Sequence, residues 1–97
     1  MTIRSIKHKG LRRLWEQGSA RGIPAGSTAK LERMLSVIDA SSGPDALKQA
    51  SLPGWKLHDL KGDRIGWWSL WLTGNWRLLV RFDDAGDAFD LDLEDYH

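Results

Sequence analysis

The tightest constraint in this chain is a pair of alternating runs joined by Thr73-Gly74-Asn75. Residues 65–72 and 76–82 each read as strands, and a short connection containing Gly between two such runs makes a hairpin. Side chains alternate across a strand. In the second run Trp76, Leu78, Val80 and Phe82 therefore point one way, and Arg77, Leu79 and Arg81 the other. A turn at residues 83–86 leads to a last strand at 88–93. There Phe89, Leu91 and Leu93 are expected opposite Ala88, Asp90, Asp92 and Glu94. An antiparallel meander with one apolar face has to be covered on that face.

The cover comes from the first half of the chain. Leu11, Leu14, Trp15 and Gly18 follow the i, i+3, i+4, i+7 spacing of a helix face, and Gly18 suits a left-handed C-terminal cap. After a loop at 19–23, Pro24 is expected in the first turn of a second helix, whose stripe is Leu31, Met34, Leu35 and Ile38. Residues 40–44 stop that helix, and PDALKQA adds another turn or two. The two main helices are expected as an antiparallel pair with a short loop between them. Residues 2–7 read as a short first strand, and residues 54–57 as another brief one. The expectation is a single α+β domain spanning residues 1–97, a small antiparallel sheet packed by two to three N-terminal helices.

No run approaches the roughly 18 apolar residues of a membrane helix, and the N-terminus has no secretory pattern, so a cytoplasmic protein with no membrane contact is expected. With no cysteine, disulfides, thiolate zinc sites and cysteine nucleophiles are excluded. The net charge of +1 hides a division. All 14 Lys and Arg precede residue 82, while seven of the 13 acids crowd into residues 83–95. A basic body suits a polyanion, unless the acidic strand pairs beside the basic ones and cancels its field.

The segment from His58 to Arg77, HDLKGDRIGWWSLWLTGNWR, gathers His58, Lys61, Arg64 and Arg77 among tryptophans. Arg and Lys neutralise phosphate oxygens, and His moves protons near neutral pH. The tryptophans suit either a core or base stacking, Trp15 being expected in the core. His8, His58 and His97 have no metal-ligand spacing, and neither a nucleophile elbow nor a P-loop occurs, so no metal or cofactor is expected. What remains is acid–base chemistry on RNA, which carries its own nucleophile in the 2′-OH. Cleavage then needs a base, cations for the charge that develops at phosphorus, and an acid for the leaving oxygen. His58, Lys61, Arg64, Arg77, Tyr96 and His97 can supply those roles, with no assignment of base and acid between the two histidines.

KHKGL near the start, KLHDLKGDRIGWWSLWLTGNWRLLVRF in the middle and LEDYH at the end resemble the HigB branch of the RelE/ParE toxin superfamily over essentially the whole chain. The resemblance implies a RelE-like fold and a toxin of a type II toxin–antitoxin system. It further implies a ribosome-dependent mRNA interferase that cuts messenger in the A site without a metal. By motif position it makes His58, Lys61, Arg77, Tyr96 and His97 catalytic, with Arg64 and Asp95 in support. Trp67 stands where relatives often carry Tyr. Arg4, Lys7, Lys9, Arg12, Arg13 and Trp67 are the expected contacts to RNA and ribosome. The implied partners are a HigA-like helix-turn-helix antitoxin, the ribosome with its rRNA and mRNA, and operator DNA reached only through the antitoxin. Two alternatives remain at this point: a ParE-like inhibitor of gyrase that cuts nothing, or a weak toxin acting mainly as co-regulator with its antitoxin.

Overall fold

The computed structural model describes residues 2–95. Three helices, α1 (Lys9–Gln17), α2 (Thr28–Ala40) and α3 (Pro44–Ala50), precede four strands, β1 (His58–Asp59), β2 (Trp67–Thr73), β3 (Trp76–Phe82) and β4 (Ala88–Asp95). The strands pair antiparallel in sequence order, as the meander required. Leu11 and Leu14 of α1, the expected stripe of α2 and Leu47 of α3 close over Leu70, Leu72, Leu78, Val80, Leu91 and Leu93 to form the core. Trp15, Trp68, Trp76 and Phe82 are partly buried against it, and Trp55 lies within it. Burying each such apolar side chain contributes about 1.5–3 kcal/mol.

The helix ends follow local chemistry. Gly18 caps α1 at φ 71°, its N–H returning to the carbonyls of Arg13 and Leu14. At the other end His8 is the N-cap, its Nδ1 accepting the Leu11 N–H at 3.1 Å. Pro24 falls outside α2, contrary to expectation. Gly26, at φ +78°, breaks the chain between them, and the helix begins only after Ser27. The connection between α1 and α2 is therefore the ten residues 18–27, not a short loop.

Two expected strands are also corrected. In place of a strand at 54–57 there is a 3-10 turn (Pro53–Trp55) closed by Lys56 at φ 50°, and the strand starts at His58. Residues 2–7 form isolated parallel bridges rather than a strand: Ile3 pairs with Ala88 and Ile6 with Leu91. The interruption lies in β4, where Asp90 bulges at φ 54° and its N–H is held by Ser5 Oγ at 2.9 Å. That bulge overturns one face assignment. Ala88 enters the core, whereas Phe89 turns to the outer face opposite Arg81. Leu91 and Leu93 keep the face expected for them.

Candidate functional site

The outer face of the sheet carries the charged and aromatic residues, because β2 and β3 spend their other face on the core. Strand parity places Trp67, Ser69 and Trp71 of β2 beside Arg81, Leu79 and Arg77 of β3 in register, with His58 of β1 opposite Ser69. Ser69 and Leu79 are buried at the centre of this face. Around one end of it lies a cleft of about 250 Å³ walled by Lys56, His58, Ser69, Trp71, Gly74, Asn75, Trp76 and Arg77. Two of the expected catalytic residues, His58 and Arg77, thus share one cavity although 19 positions apart.

His58 is held by a contact of 2.8 Å between its Nδ1 and the carbonyl of Lys56. A carbonyl only accepts, so Nδ1 carries the proton and a neutral ring keeps its lone pair on Nε2. Lys56 is fixed in a left-handed conformation by the preceding 3-10 turn, whose cap N–H reaches the Pro53 carbonyl at 3.2 Å. The turn that replaced an expected strand therefore sets the tautomer of the imidazole.

Arg77 is 15% exposed at its side chain, and its guanidinium lies 3.4 Å from Glu94 Oε1. The other oxygen of Glu94 takes Arg64 at 2.5 Å. One carboxylate thus bridges two guanidiniums, one from the 3-10 turn Gly62–Arg64 and one from β3. The Arg64 hydrogen bond, more than the opposing effect of burial, holds Glu94 below the usual carboxylate range and Arg64 above its ordinary value. Arg64 thus pairs with an acid of β4. Arg77 meets the same Glu94 from the neighbouring strand, its register partner on β4. Arg81 does meet Asp90, at 3.7 Å. These contacts, with Arg4 to Asp83 at 2.6 Å, mean that the acidic strand offsets part of the basic surface.

The remaining expected residues divide. Lys61 is exposed and leads into the 3-10 turn Gly62–Arg64; it does not wall the cleft, though it is three residues from His58. Asp95 is exposed at the end of β4, in register with Trp76. Tyr96 and His97 lie outside the described residues. Lys7 sits 5.9 Å from the Trp67 ring, which also receives Arg81 at 5.2 Å; Arg81 meets Phe89 at 5.0 Å, so cation and ring alternate along this half of the face. Arg12 borders a groove with Ile3, Ile6 and Trp15, while Lys9 is exposed at the start of α1 and Arg13 is half-buried. Glu94, Lys30 and Lys56 are participants that sequence reasoning missed. Among the described residues no group of three His, Asp or Glu is arranged to hold a metal ion.

This arrangement suits an extended phosphodiester: cations at the floor and rim, an imidazole with an available nitrogen, and aromatic walls. The sequence model of the family described as RelE-like toxin of type II toxin-antitoxin system HigB matches residues 4–97. The chain belongs to the HigB-like toxin family. It is similar to the Endoribonuclease HigB of Proteus vulgaris, with 42% identity over 95 residues, covering 98% of this chain and 99% of that protein. Membership in the HigB-like family makes it a type II toxin, paired with an antitoxin. The α+β order of three helices before a four-stranded antiparallel sheet agrees with the RelE-like fold that the resemblance implied. Among the described residues, no helix is long and apolar enough to cross a membrane.

Proposed function

We propose that this HigB-like toxin is an endoribonuclease that cuts messenger RNA in the ribosomal A site by metal-independent acid–base chemistry. The observation that carries the reading is the cleft in which His58, with Nδ1 fixed on the Lys56 carbonyl, shares a wall with Arg77. In the proposed step Nε2 of His58 takes the 2′-OH proton. The 2′ oxygen bonds to phosphorus, the bond to the 5′ oxygen breaks, and a cyclic phosphate and a protonated 5′-OH result. Arg77 clamps the phosphate, as a planar guanidinium does bidentately, and the Glu94–Arg64 pair orients it. Lys61 adds positive charge from the loop. The leaving oxygen is protonated by His97, with Tyr96 and Asp95 in support. Arg4, Lys7, Lys9, Arg12, Arg13 and Trp67 meet ribosomal RNA. A HigA-like antitoxin that binds DNA through a helix-turn-helix is the proposed partner, and the cytoplasm the proposed compartment.

The test is primer extension on messenger in a translating extract, comparing wild type with His58→Gln, Lys61→Ala and Arg77→Ala. Cuts that need ribosomes, and that fall by at least about 100-fold in the variants, support the reading. Intact messenger at every toxin level would refute it and turn attention to gyrase inhibition or to operator binding with the antitoxin.

A further inference from the structure

Trp71 is the tryptophan that the core does not account for. Its side of β2 faces outward, it is 39% exposed, and Trp67, on the same face, is only partly exposed with its ring engaged by Arg81 and Lys7. Leaving an indole in water forgoes a large apolar burial, yet this one is held firmly. Its Nε1–H donates to the Gly74 carbonyl at 2.9 Å, tying the ring to the hairpin turn. Lys30 of α2 reaches over the ring at 4.3 Å while donating to the Leu72 carbonyl at 2.7 Å, and Lys56 lies over it at 5.1 Å. Three separate elements thus converge on one exposed ring. That ring forms part of the wall of the His58–Arg77 cleft and is the cross-strand partner of Arg77.

We propose that Trp71 is a nucleobase-stacking platform of this cleft, with Lys30 and Lys56 as its cationic rim. The inference rests on the proposed RNA-cleaving function and deepens it by naming where a base next to the scissile phosphate goes. Directly opposed residues on one face of an antiparallel pair have Cβ atoms about 4.5–5.5 Å apart. A phosphate seated on Arg77 therefore has the indole beside it, within reach of the adjoining base. The anchored ring loses little rotamer freedom when a base arrives, so the stacking energy is retained. The base displaces the exposed Lys56 ammonium from the ring, and that ammonium is then available to the neighbouring phosphate. Lys30, held by the Leu72 carbonyl, stays. Stacking of this kind tolerates any base, because every base has a π face.

The experiment compares Trp71→Phe, Trp71→Leu and Trp71→Ala with wild type. Phe keeps a π face, Leu keeps bulk and apolarity without one. In the translating extract the Phe variant is expected to cut within about threefold of wild type, and the Leu and Ala variants about 10- to 100-fold more slowly, the loss of one base–aromatic stack. Independently of cutting, a short single-stranded RNA carrying 2-aminopurine is titrated against each protein. Its fluorescence is expected to be quenched by wild type and the Phe variant but much less by the Leu variant, all four melting cooperatively. A Leu variant that quenches and cuts like the Phe variant overturns the platform, as does an RNA that wild type does not quench. A wild type that quenches the RNA but leaves messenger whole refutes the cleavage reading while the platform stands.

Discussion

Replacing Glu94 by Gln separates charge from shape at the hub of the candidate site. The carboxylate bridges Arg64 at 2.5 Å and Arg77 at 3.4 Å, with side-chain exposures of 42%, 15% and 28% for Arg64, Arg77 and Glu94. At 3.4 Å and an effective dielectric near 20, the gross attraction to Arg77 is about 5 kcal/mol. Desolvation of two partly buried groups cancels most of it, leaving about 1 kcal/mol. The more exposed Arg64 pair adds about 0.5–1 kcal/mol. Glu94→Gln should therefore destabilise the fold by about 1.5–2 kcal/mol at pH 7, lowering Tm by about 10 °C for a domain of this size. The pH dependence carries the argument. Glu94 is held below its ordinary value of 4.5, so its contribution is fully present above that pH and is lost as pH falls through the depressed folded-state pKa. Melting curves of wild type and variant, followed by circular dichroism from pH 7 to pH 3, should stay parallel down to about pH 5 and converge below. A gap that persists undiminished at about pH 3 would mean that the loss came from packing, and would refute the electrostatic account.

Other predictions follow from single contacts. A Cβ at Gly86 would meet the Ser42 carbonyl oxygen at 2.5 Å with φ at +87°, whereas Gly18, at φ +71°, has nothing within 4 Å. Gly86→Ala should cost more than about 2 kcal/mol and Gly18→Ala about 1, read as urea midpoints. Ser5→Ala removes the hydroxyl that accepts the Asp90 N–H and should cost about 1 kcal/mol, with faster hydrogen exchange at the Asp90 and Leu91 amides than elsewhere in β4. Lys30→Met keeps the aliphatic stem but loses the bond to the Leu72 carbonyl and the ring contact on Trp71. Its expected cost is about 1–2 kcal/mol, again from urea midpoints.

Periodicity carried the sequence reading wherever a residue's environment repeats along its own element. The α2 stripe from Leu31 to Ile38, the parity of β3 and the Gly18 cap all followed from it. It failed where a partner distant in sequence decides the conformation. Ser5 stabilises the Asp90 bulge from 85 positions away, and the bulge then reverses Phe89. Nothing local to Phe89 signals that reversal. The site behaved the same way: His58 and Arg77 were visible as chemistry and share a cleft, but their supports were not. The Lys56 carbonyl and Glu94 act through backbone geometry and cross-strand register, which residue type alone does not encode. Parity did put Glu94 on the Arg77 face; the missing information was which acid of β4 stands opposite, and that depends on the bulge.

The same bulge and the lysine above Trp71 bear on what the margins of the sheet offer to another chain. A sheet ends in two rows of backbone groups that invite another chain to pair. On the β4 side, residues 2–7 take up those groups: the N–H of Arg4 and of Lys7 reach the Ala88 and Leu91 carbonyls, and the N–H of Ala88 and of Leu91 return to Thr2 and Ser5. On the other side the border strand β1 is only two residues long, and the Leu72 carbonyl of its neighbour is taken by the ammonium of Lys30. Among the described residues, neither margin offers a long, flat template for a second sheet. The chain can therefore display an exposed indole on the face of its sheet without inviting its own strands to polymerise along the edges.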